Sequence, residues 1–250
     1  MVRTVQVYIC LGSLLSFLDV TSQGIQTNPI TGQITNLEQA KSQKIIDEVR
    51  FYEPKGNVHL PYSRIKGSPF WKDEFLPAKI FTTTGQVYSS PIRLNLVTNE
   101  IHFLKNGEEM VLVDGNIDKI VFSWEHDSAL FLANLAVLLM NNKKENGYVQ
   151  VLNPGNCQLL KYTKRLVDSA DSLFRTQKRY FFTDEVTYFL RFTGKIEKIK
   201  RMNKENIMKL LPSAPSADAW IDENKIDFKK EDDTVRFLDH YNATHTTKQD

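Results

Sequence analysis

The chain has 250 residues, with 32 Lys and Arg against 30 Asp and Glu, and 41% of it is hydrophobic. That length buries the core of one domain or one and a half, and a formal net charge of +2 gives no field that would argue for nucleic acid or an anionic membrane surface. Its two cysteines, Cys10 and Cys157, are too few for a disulfide framework.

Residues 1–22 read as a secretory signal. Met1-Val2-Arg3 is the basic start, an apolar run extends from Val5 to Val20, and Val20-Thr21-Ser22 is a small-residue exit. Asp19 interrupts the pattern, and the competing reading is a first buried strand or helix. Tyr8-Ile9-Cys10 lacks the small residue that lipid attachment needs, so no lipid anchor is expected. Cleavage near Ser22 leaves Cys157 alone, an ordinary side chain in the Pro154-Gly155-Asn156 turn rather than a reactive thiol.

Residues 23–66 read as a lead-in. Thr35-Asn36-Leu37-Glu38 has capping-box spacing, and Leu37, Ala40, Ile45 and Val49 fall along one face of a short helix. Ile45-Ile46 and Val49-Arg50-Phe51-Tyr52 suit a strand start equally. Pro54, Gly56, Pro61, Gly67 and Pro69 predict a structured loop over 53–69.

An antiparallel β domain is expected over 67–200, organised around a meander at 79–124. Ile92, Leu94 and Leu96 alternate with Arg93, Asn95 and Val97; Ile101 and Phe103 alternate with His102 and Leu104; Ile120, Phe122 and Trp124 alternate with Val121 and Ser123. Period two sends one set to a core and the other to solvent. Asn106-Gly107 and Asp114-Gly115 suit hairpin turns with positive φ, and Gly85 suits another turn. Pro91 belongs at a strand start or an edge. The apolar run 128–140 fits a buried helix or a buried strand pair, with helix slightly preferred. Residues 148–152 and 158–163 form a hairpin about Pro154-Gly155-Asn156. Residues 165–177 read as loose, and strands follow at 180–182, 186–192 and 196–199, broken at Asp184-Glu185 and Thr193-Gly194.

A three-helix cap is expected over 201–243. Ile207, Met208, Leu210 and Leu211 precede Pro212. Ser216 caps a second helix carrying Trp220 and Ile221, and Glu231, Asp232 and Asp233 open a third, where the helix dipole favours acids. Residues 244–250 read as a disordered tail. The fold class is α+β, mostly antiparallel β.

Gly67-Ser68-Pro69-Phe70 with Asp73-Glu74-Phe75, Arg93-Leu94-Asn95 with 99–103, and the 148–152 and 159–162 hairpin resemble a family of exported, mostly-β Bacteroidota proteins with no assigned activity. The run 228–233 with Tyr241-Asn242 is the most specific part, and the resemblance spans about 64–242. It implies export and a β fold. It carries no catalytic residue, and it implies a strand and a loop at 128–140.

No zinc spacing, phosphate-cradling glycine loop or Gly-x-Ser-x-Gly elbow occurs, so no cofactor or metal is expected. Glu125-His126-Asp127, Asp184-Glu185 and Asp239-His240 with His245 are candidate acid/base or metal clusters. The bland reading, solvated turns and helix ends, is preferred for each. Basic 195–209 and acidic 218–233 are expected to neutralise one another, in preference to 195–209 forming a basic patch for an acidic partner. Tyr180, Phe182, Tyr188 and Phe192 are the candidate binding residues, able to stack on a sugar or pack on a partner, although core filling is their commoner use. No later apolar run is long enough to span a membrane.

The expectation is therefore an exported envelope protein, periplasmic or surface-associated, that binds or scaffolds an envelope protein or glycan through its sheet. The alternatives are an envelope-polymer hydrolase and a carrier of an apolar ligand.

Overall fold

The structure is a computed structural model that describes residues 34–46, 48–53, 56–113, 116–133, 137–138, 144–145, 147–171, 178–211 and 217–245. The expected signal, Asp114-Gly115, Pro212 and Ser216 lie outside the described residues. The early strands are β1 (Ile34–Thr35), β2 (Ser42–Lys44), β3 (Glu48–Glu53), β4 (Gly56–Pro61) and β5 (Ile65–Lys66). The meander holds β6 (Leu76–Thr82), β7 (Val87–Asn95), β8 (Glu100–Lys105), β9 (Glu108–Leu112), β10 (Ile117–Trp124) and β11 (Asp127–Leu132). Then come β12 (Val137–Leu138), β13 (Lys144–Glu145), β14 (Val149–Val151), β15 (Cys157–Ala170), β16 (Arg179–Phe192) and β17 (Lys195–Lys198). Helices α1 (Lys204–Leu210), α2 (Ala217–Glu223) and α3 (Glu231–His245) close the chain. This is the α+β, mostly antiparallel architecture the sequence predicts.

One large sheet runs in the order β17-β16-β15-β14-β11-β10-β6-β7-β8-β9-β2. Two short strands complete it in parallel: β1 pairs with the start of β7, which β8 does not reach, and β5 pairs with the start of β16, which β17 does not reach. The β3–β4 and β12–β13 hairpins stand apart from it.

Alternation places Ile80, Ile92, Leu94, Ile101, Phe103, Ile120 and Phe122 in one core, with Leu37 over them. Trp71 packs on Phe122, Trp124 and Phe131 with ring centroids 5.2, 5.8 and 5.0 Å away. Asn106-Gly107 turns with φ of 52° and 81°, and Thr193-Gly194 repeats the device at 46° and 78°. Strand β15 splits its side chains between two further cores. Cys157 and Leu159 join Leu190 and the helices, while Leu160 and Tyr162 join Leu130, Val149, Val151 and Phe189.

Helix α3 fastens the cap to the sheet at both of its ends. Asn242 of α3 accepts from the Cys157 N–H at 2.8 Å and donates to the carbonyls of Pro154 (2.9 Å) and Cys157 (2.8 Å). Gly155 has φ +101°, and a Cβ there would lie 2.5 Å from Asn242 Nδ2. At the other end of α3, Glu231 accepts from the Tyr188 hydroxyl at 2.7 Å and pairs with Lys161 at 2.8 Å.

Several expectations are corrected. The short helix is a single 3-10 turn, Leu37–Gln39, capped by Asn36 rather than Thr35, and β2 and β3 occupy much of the stretch expected to continue it. The loop at 53–69 holds β4, a 3-10 turn at Tyr62–Arg64 and β5, with Gly56 and Pro61 at the ends of β4, where sheets tolerate them. At 128–140 the preferred helix gives way to strand β11 over Asp127–Leu132, bonded on both sides by β10 and β14. Its continuous apolar run serves two faces: Ala129 and Phe131 enter the first core and Leu130 the third. Residues 165–170 are not loose, and Asp184-Glu185 does not break a strand, because β15 and β16 pair without interruption from Cys157↔Phe192 to Ala170↔Arg179. Thr244 and His245 belong to α3 rather than to a tail.

Candidate functional site

Strand β16 carries all four aromatic candidates on one face, and the structure divides them between two places. Tyr188 and Phe192 lie beneath the cap. Tyr188 donates to Glu231, and Phe192 meets Tyr241 edge-on at 6.4 Å. Burial first, and then Glu231, pushes the Tyr188 phenol above its ordinary range. Phe182 packs edge-on against Tyr62 at 6.0 Å and borders Gly67. Tyr180 is half-buried at the outer end of the hairpin, opposite Ser169 and beside Ile65 of β5. All four are therefore engaged within the chain, in two separate pairs.

A second constellation was not visible in the alternation. His102 was expected on the solvent side of β8, yet its side chain is 4% exposed. The register places Arg93 directly opposite it, and Glu109 sits diagonally across on β9. His102 Nδ1 is 2.8 Å from Glu109 Oε1, so that nitrogen carries the donated proton. Arg93 binds both oxygens of Glu109 through Nη2, at 2.6 and 2.5 Å, and adds Nε at 2.8 Å. Its guanidinium lies between two rings, 3.6 Å from the Phe70 centroid and 4.8 Å from that of Phe75. Phe70 also turns its edge to His102 at 5.1 Å.

The far nitrogen of His102, Nε2, is buried without a hydrogen bond, and Glu100 Oε2 stands 3.8 Å from it. Glu100 also accepts from the Thr98 hydroxyl at 2.7 Å. The His102 ring first, and then Thr98, hold the Glu100 carboxyl below its ordinary range against the opposing effect of burial. A carboxylate orienting an imidazole is the arrangement of a general base. Here the nitrogen that would reach a substrate is itself buried, and Arg93 ties Phe70 and the Asp73 carbonyl to the meander. The signal that could have found it is register: once the turns at 98–99 and 106–107 are fixed, Arg93, His102 and Glu109 fall on one face.

The remaining candidates are dispersed. Glu125 and His126 form an exposed two-residue turn before Asp127, with Glu125 at φ 46°. Asp184 accepts from Arg165 at 2.7 and 3.0 Å, and Arg165 also donates to the carbonyls of Ser68 and Phe70. Glu185, its neighbour in the strand, faces the other way. His240 stacks on Trp220 at 4.1 Å, and His245 on Tyr241 at 4.1 Å. Lys204 meets Asp218 at 2.9 Å, one link between the basic and acidic segments. Cys157 is fully buried, and burial pushes its thiol up to about 12. Among the described residues no group of three or more His, Cys, Asp or Glu could hold a metal ion, and no helix is long and apolar enough to cross a membrane.

No family model, curated protein or solved structure matches the chain.

Proposed function

We propose that this protein is an exported binding or scaffold module of the cell envelope that engages a protein or glycan through its large sheet, without catalysing a reaction. The observation that carries the reading is the outer part of the β15–β16 hairpin. No residue of 163–170 or 179–186 is buried, although the ribbon includes Leu166, Val167, Phe181 and Val186. Leu166 and Val186 are each 39% exposed. A regular two-stranded ribbon of mixed apolar and charged side chains offers firm surfaces at little ordering cost, with Leu166 and Phe181 on one face and Val167 and Val186 on the other. The N-terminal pattern supports export.

Two measurements test this. Cell fractionation with N-terminal sequencing should recover the protein outside the cytoplasm, beginning near Gln23. A photo-reactive residue at Leu166 should crosslink to one envelope component, whereas the same residue at Glu125, on the exposed turn before β11, should not. A cytoplasmic protein with an intact N-terminus refutes export, and equal labelling from both positions refutes the hairpin surface.

A further inference from the structure

Resting on that reading, we infer that Arg191 and Lys198 form a carboxylate-binding site that takes an acidic, extended segment of a partner polypeptide laid along β17. Gln158 and Arg191 are directly opposed across β15 and β16, and Arg191 is in turn opposed to Ile196 of β17. Lys198 is opposed to Phe189, two residues along, which makes it the diagonal neighbour of Arg191 on the same face, about 7–8 Å away between Cα atoms. Two cations and an amide thus share one patch at the end of the sheet.

What distinguishes the patch is that its polar groups have nothing to bind. Gln158, opposed to Arg191, is only 9% exposed, and its Oε1 has no hydrogen-bond partner, so the amide does not engage the guanidinium. Arg191 is half-buried, and among the described residues its guanidinium has no hydrogen bond or ion pair. Burial lowers its pKa with no acid to oppose the effect. The other partly buried arginines of the sheet's main path, Arg93 and Arg165, are paired, with Glu109 and Asp184, whereas Arg179 is exposed. A half-buried guanidinium without a carboxylate is what a bidentate acid would complete.

Among the described residues no neighbouring acid pairs with Arg191, and Asp239 is hydrogen-bonded to Asn153. Glu185 is opposed to Lys164, well down the hairpin, and Glu197 projects to the opposite face of β17. The nearby Asn153 amide is engaged with the Cys157 carbonyl and the Leu159 N–H.

The edge argues for a peptide as the occupant. Among the described residues no strand pairs with the outer side of β17, and Lys195, Ile196 and Glu197 are exposed. A strand added there lies about 4.8 Å from β17. Its side chains on the Ile196 face would meet Lys198 at once and reach across to Arg191. Addition of a strand gives affinity through the backbone, and alternate acidic side chains give specificity.

Calorimetric titration of the full chain with the peptide (Glu-Thr)4 tests the site, alongside (Gln-Thr)4 and tetragalacturonate. The expected result is binding of (Glu-Thr)4 that weakens at least tenfold in Arg191→Gln and in Lys198→Gln, and less than twofold in Arg201→Gln, an exposed arginine outside the patch. Unchanged thermal unfolding of Arg191→Gln excludes a folding defect. On binding, the Arg191 Nε–H resonance should shift and gain protection from solvent exchange. Absence of (Glu-Thr)4 binding, equal loss in Arg201→Gln, or binding of the uronate in preference to the peptide each overturns the proposal. A Leu166 crosslink that persists in a chain unable to bind (Glu-Thr)4 sinks this site alone and leaves the broader reading standing.

Discussion

Gly155→Ala is the sharpest test of how the cap is held. An alanine at φ +101° costs about 1–2 kcal/mol through backbone strain. Its Cβ would stand 2.5 Å from Asn242 Nδ2 and 2.7 Å from Cγ, so the amide must leave. That forfeits three hydrogen bonds at about 1 kcal/mol each, and one of them satisfies the Cys157 N–H. Together the loss is about 4–5 kcal/mol. At about 2–4 °C per kcal/mol for a chain of this size, differential scanning calorimetry should show Tm falling by about 10 °C or more. Asn242→Ala should cost about 2–3 kcal/mol. The double variant should cost less than the sum by at least about 1 kcal/mol, because the side chain that collides is already gone. If Gly155→Ala melts within a degree or so of wild type, or the two losses simply add, Asn242 does not anchor the cap.

Gly147→Ala should destabilise by about 1–3 kcal/mol in chemical denaturation, since its Cβ would lie 2.5 Å from Cε2 of the buried Tyr162 ring. Arg93→Ala should cost about 2–3 kcal/mol, by leaving the largely buried Glu109 carboxylate without its guanidinium, and should increase hydrogen exchange across 68–75. Glu100 has a depressed folded pKa, so its contribution is present above the ordinary value of 4.5 and is lost as pH falls through the folded value. Glu100→Gln should therefore flatten the acid limb of the stability profile below about pH 4.5 and leave its slope near pH 7 unchanged. Cys157 should resist a thiol reagent at pH 8 in the native protein and react fully once unfolded, because burial holds the thiol near 12.

The meander was legible because its apolar residues alternate with polar ones along the strands. Ile92, Leu94, Ile101 and Phe103 announce a single core face, and Asn106-Gly107 fixes the turn between β8 and β9. β11 was not legible as a strand, since Ala129, Leu130 and Phe131 are all buried and a run apolar on both faces has no period to read. In the outer half of β15–β16, residues 180–182 read as strand, but 165–170 and the continuity through Asp184-Glu185 did not, for the opposite reason. Its polar residues are held in strand by distant partners, Arg165 by Asp184, Ser68 and Phe70, and Tyr180 by the backbone of β5. The burial of His102 depends on Phe70 crossing from another part of the chain, which period-two reasoning cannot foresee. The aromatic candidates were correctly assigned to strand, but only the cap's docking reveals that Tyr188 and Phe192 are spoken for.

The most direct test of the central claim, recognition through the sheet, is a capture experiment on envelope extracts with the chain from Gln23 onward. Wild type is compared with Leu166→Asp/Val186→Asp, two exposed changes that should leave Tm within about 2 °C. The account predicts one component retained by wild type at a fixed stoichiometry and lost from the doubly charged variant. Retention that is indifferent to both charges, or no specific component at all, would contradict it.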